Sequence, residues 1–95
     1  MKEFNKRADG VSDFINRARA DSSVDTDVKF MIHDLKVMVF EIDKMIKANN
    51  VNCIEALNRL SDVAFDLYNI GRPVYEKWGN YAYDKFDEMQ DQLVP

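Results

Sequence analysis

The sequence predicts an all-α fold, a small antiparallel four-helix bundle with a central helical hairpin. Apolar residues recur at helical spacing along almost the whole chain, and only three glycines and two prolines interrupt its 95 residues. The few polar, turn-prone segments divide it into four stretches, each long enough for a packed helix. With 46% apolar and 32% charged residues the composition is globular, and the length suits one modest core that needs no metal or disulfide. A single helical domain over 1–95 is the expectation.

The first helix, over 2–20, aligns Phe4, Ala8, Val11, Ile15 and Ala18 on one side with Phe14 beside them. Gly10 weakens it by about 1 kcal/mol relative to alanine. Residues 21–26 form a polar link in which Asp25 or Thr26 is placed to cap the next helix. That second helix, over 27–48, has two apolar faces. Val28, Ile32, Leu35, Val39, Ile42 and Ile46 make one broad stripe, while Phe30, Val37 and Phe40 point nearly the other way, with His33 and Lys44 among them.

Asn49-Asn50-Val51-Asn52 ends the second helix, because asparagine tolerates the left-handed backbone of a helix stop. Asn52 and Glu55 have capping-box spacing, so a third helix over 53–70 begins at Cys53. Its buried centre is read as Ile54, Leu57, Leu60, Ala64, Leu67 and Tyr68, with Ala56, Val63, Phe65 and Ile70 at the margins. Gly71-Arg72-Pro73 reads as a stop followed by a start. The fourth helix, over 73–92, turns Val74, Tyr75, Trp78, Ala82, Phe86 and Met89 inward, with Gly79 placed for a close helix crossing.

Charge distribution narrows the function. Residues 1–20 carry five Lys/Arg against three Asp/Glu, whereas 21–95 carry eight against fourteen, within a net charge of −4. An acidic body repels nucleic acid and anionic membrane and steers toward a basic protein surface, so direct nucleic-acid binding is not expected. Cys53 is the only cysteine and His33 the only histidine, which supplies neither a zinc-type ligand set nor a nucleophile with its base. No catalytic, cofactor-binding or metal-ligating residue is named, and the chain is read as non-enzymatic. The start, Met1-Lys2-Glu3-Phe4, lacks an apolar signal run, and no stretch approaches the roughly 20 apolar residues of a membrane span. With a lone cysteine, this gives a cytoplasmic expectation.

The remaining candidates are surface residues. Phe30, Val37 and Phe40 offer an apolar strip, unless the first helix folds across it and makes it core. Tyr81 and Tyr83 lie in the aromatic-rich fourth helix, and tyrosine combines large contact area with a polar tip. Asp62, Asp66, Asp84 and Asp87 are read as steering charges. Asp62 and Asp66, like Asp87 and Asp91, are like-charge pairs at i,i+4, which cost a few tenths of a kcal/mol in an isolated helix. The function favoured is a protein-binding module that inhibits or neutralises a macromolecular partner, such as a phage or mobile-element inhibitor of a host defence complex. Alternatives are a toxin-neutralising immunity protein, a structural homodimer or assembly adaptor paired through the phenylalanine strip, and an acidic mimic of nucleic acid.

Overall fold

The computed structural model describes residues 1–93, so the last two positions of the expected domain span lie outside it. Four helices share one core: α1 (Lys2–Ala20), α2 (Val28–Lys47), α3 (Cys53–Tyr68) and α4 (Pro73–Leu93). α2 and α3 form the central hairpin, since each touches all three other helices, whereas α1 and α4 flank them without close backbone approach. The bundle is accordingly flat and elongated, 42 × 24 × 16 Å.

The stops follow from backbone chemistry. Asn49 takes the left-handed conformation at φ 54°, and the N–H groups of Asn49 and Asn50 donate to Ile46 O and Met45 O, the paired bonds of a Schellman stop. α3 ends at Tyr68, two residues short of the expected end, where the Asn69 side chain donates to Phe65 O at 2.9 Å, and Gly71 at φ 82° then turns the chain toward α4. The starts differ from expectation. Asn52 is itself in a helical conformation and its side chain makes no capping bond; the Asn50 side chain instead accepts from Asn52 N–H at 2.9 Å, so the capping box does not form. The polar link is a 3-10 turn over Ser22–Asp27, capped by Asp21, which accepts from Ser23 N–H at 2.9 Å. Val24 is buried beneath that turn, and Asp25 is drawn into an ionic cluster rather than capping α2.

Packing rotates two helices relative to the stripes read from sequence. In α2 the fully enclosed side chains are Met31, Leu35, Met38 and Ile42; Val28, Ile32, Val39 and Ile46 are half-buried. Two flexible methionines, absent from the expected stripe, fill its centre. In α3 the inward set is Cys53, Ala56, Leu57, Leu60, Val63, Ala64 and Leu67, which leaves Ile54 and Tyr68 exposed rather than central.

The tightest crossing is between α3 and α4. A Cβ added at Gly79 would lie 2.9 Å from Tyr68 N and 3.0 Å from Ala64 O, so backbone rests on backbone there, with Ala64 and Ala82 buried alongside. α1 is registered on its neighbours by three ion pairs, Arg7–Asp34 at 2.8 Å, Arg59–Asp9 at 2.9 Å and Arg19–Asp66 at 3.0 Å. Partly open to water, each contributes about 1 kcal/mol and acts chiefly on register.

Candidate docking face

The strip expected on α2 is uncovered, but it is not one patch. Phe30 and Phe40 are 64% and 60% exposed, so α1 does not fold across them. Ten residues apart, they are separated by about 15 Å along the helix and about 80° around it. Val37 is half-buried and lines a cleft of about 280 Å³ between α1 and α2, with Phe4, Arg7 and Glu41. Phe40 occupies the opposite flank, in a groove shared with Tyr81, Lys85 and Met89 of α4. Tyr81 packs edge-on against Trp78, with ring centroids 5.2 Å apart.

Tyr83 is exposed and lies about 160° around α4 from Tyr81. Of the four aspartates, Asp66 pairs with Arg19, which relieves the Asp62–Asp66 repulsion inside the chain. Asp62, Asp84 and Asp87 are exposed, and no ion pair holds them among the described residues. The structure therefore scatters the nine sequence-derived candidates over three surfaces. Only Tyr83, Asp62, Asp84 and Asp87 share one.

That surface is the outer face of the α3/α4 pair, and its apolar part was not legible as a site. Ile54 and Phe65 are 61% and 59% exposed, and Tyr68, Tyr83 and Leu93 are also exposed. Gly79 against Ala64 and Tyr68 fixes one end of the antiparallel register; a cleft of about 200 Å³ lined by Ile54, Leu57, Asn58, Phe86, Gln90 and Leu93 fixes the other. Phe65 lies at the crossing itself, between Ala64 and Tyr68 in sequence, and Tyr83 falls in the stretch between crossing and cleft. Together these residues leave a row of apolar side chains exposed along the outer face of the two helices.

Its electrostatic setting separates it from the rest of the molecule. Residues 1–52 carry nine basic and nine acidic side chains, and 53–93 carry four against eight, so the whole net charge resides in α3, α4 and their connection. The four cations there are all engaged elsewhere: Arg59 with Asp9, Arg72 with Asp25, Lys77 over Trp78, and Lys85 over Tyr81. On the other faces each surface ring has a cation above it. Lys29 stands 5.5 Å from the Phe30 ring and Lys44 5.3 Å from Phe40, while Lys36 and Lys77 bracket Trp78. Among the described residues no such cation stands over Phe65, Tyr68, Tyr83 or Phe86.

No group of three or more His, Cys, Asp or Glu among the described residues is arranged to hold a metal ion, and no described helix is long and apolar enough to cross a membrane. Cys53 is buried and His33 exposed, on different helices. No protein-family model matches the chain, and comparison with curated proteins and with solved structures returns no match.

Proposed function

We propose that the chain is a cytoplasmic protein-binding module that acts by occupancy rather than catalysis, and that the outer α3/α4 face is where it takes hold of its partner. The observation that carries this reading is the exposed row of Ile54, Phe65, Tyr68 and Tyr83 beside uncompensated carboxylates. Burying a fully exposed side chain of this size contributes about 1.5–3 kcal/mol; these four, already partly covered, each contribute less, and together they supply the apolar centre of a specific interface. The acids around them disfavour anionic partners and steer basic ones. Covering a basic surface blocks whatever that surface otherwise engages. The module on this reading is an inhibitor, of the kind a mobile element directs at a host defence complex or an immunity protein at its toxin.

The test is capture from cells that produce the protein, comparing the parent with Phe65→Asp and Phe40→Asp. A protein retained by the parent and by Phe40→Asp, but lost from Phe65→Asp, is the expected result. Retention that is identical for all three chains removes the α3/α4 face from the function.

A further inference from the structure

The groups missing from the α3/α4 face specify what completes it. Resting on the docking reading above, we infer that the occupant is a cationic amphipathic helix of a partner protein, laid along the outer α3/α4 face. Elsewhere on this molecule the exposed rings sit under lysines of the chain itself, whose stems cover apolar surface while their charge stays in water. Phe65, Tyr68 and Tyr83 lack that cover. A lysine or arginine arriving from outside reaches a ring face and a carboxylate in the same step, because Asp62 lies one turn from Phe65 and Asp87 one turn from Tyr83.

Shape selects the rest of the partner. The cleft at the Ile54 and Leu93 end encloses about 200 Å³, below the roughly 300–1,000 Å³ of small-molecule sites, and is sized for a single apolar side chain. The exposed row runs along the 16 residues of α3, about 24 Å, a length matched by an incoming helix of about 16 residues whose anchors repeat at i, i+3, i+4 and i+7 spacing. The described residues form no strand whose edge could pair with an extended peptide. A second copy is disfavoured by charge: a two-fold pairing through this face brings the Asp62, Asp84 and Asp87 set of one copy against the same set of the other, while the cations of α3 and α4 are engaged on other faces.

Two synthetic 18-residue peptides, sharing one leucine and tryptophan face and differing only in lysine/arginine or glutamate on the other, provide the test with the full chain. The cationic peptide is expected to bind, to gain helicity, and to shift the amide resonances around Phe65 and Tyr83 while leaving those of α2 in place. The anionic peptide should bind at least tenfold more weakly. Phe65→Ala with Tyr83→Ala should weaken the cationic peptide at least tenfold without changing the melting temperature, and Asp62→Asn with Asp87→Asn should flatten its salt dependence. Equal binding of the two peptides, no binding of either, or binding indifferent to the ring substitutions overturns the inference. So does a parent dimer in sedimentation that Phe65→Asp dissociates, because the occupant is then a second copy. A cellular protein whose capture needs Phe65 would in any of these cases leave the docking reading standing.

Discussion

The phenolic hydroxyl of Tyr75 donates to Asp25 Oδ1 at 2.5 Å, tying the first turn of α4 to the 3-10 turn fifty residues earlier. Arg72 completes the tie. Its Nη2 donates to Ala18 O at 2.6 Å, satisfying a carbonyl at the end of α1, and to Asp25 at 3.1 Å. Its Nε lies 3.0 Å from Asp25 Oδ2 as a charge contact without hydrogen-bond alignment. Three segments distant in sequence thus meet at one end of the bundle.

This cluster makes stability depend on pH at the alkaline end. Burial, and secondly the bond to Asp25, push the Tyr75 hydroxyl up from 10.0 to about 12. Below pH 10 the phenol is protonated in both folded and unfolded chains and its contribution is fully present. Between 10 and 12 the unfolded chain releases the proton and the folded chain does not, so stability falls as pH rises, by on the order of 2 kcal/mol. Urea unfolding at pH 9 and pH 12 should show this loss in the parent and a smaller loss in Tyr75→Phe. That variant should also be less stable at pH 9 by about 1–3 kcal/mol, because Asp25 loses a buried donor. Equal pH dependence in the two chains removes Tyr75 as its source.

Two glycines should respond oppositely to the same change. At Gly79 an added methyl meets the α3 backbone, at Tyr68 N and Ala64 O, and neither can move aside without separating the helices. Gly79→Ala is therefore expected to lower stability by about 1–3 kcal/mol despite alanine's better helix propensity. At Gly10 the nearest atom to an added Cβ is Asp34 Oδ2, at 3.5 Å, an ordinary contact on an exposed position. Gly10→Ala should raise stability by about 0.5–1 kcal/mol. Denaturation midpoints of the two variants check both signs at once.

The helices, the stop after α2, the turn at Gly71 and the close approach at Gly79 could be read from residue types because local backbone preference decides them, although α3 ends at Tyr68 before that turn. The α1 stripe was equally legible, since its apolar residues occupy one arc only. α3 was not: Leu57, Leu60 and Leu67 share the helix with Ile54, Phe65 and Tyr68, and a helix with two apolar arcs does not reveal which one its neighbours cover. Only the position of α4, fixed by Gly79, leaves Ile54 and Phe65 outside. The cluster around Asp25 was hidden for a related reason. A lone Val24 among polar residues gives no periodicity, yet it is the buried point that anchors the turn.

In α2 the same ambiguity has a direct energetic test. Met38 is fully enclosed, so truncating it leaves a cavity among side chains from neighbouring helices, whereas Phe40 lies mostly in water beneath Lys44. Met38→Ala is expected to cost about 2–5 kcal/mol. Phe40→Ala removes a larger side chain, yet it forfeits little more than its exposed contact with Lys44 and the edge of the α4 groove, and should shift stability by no more than about 1 kcal/mol. Thermal or urea unfolding of the two variants distinguishes this orientation from one in which α2 turns its phenylalanines inward. In that orientation the ranking reverses, because the lost buried area, and not the size of the deleted side chain, sets the penalty.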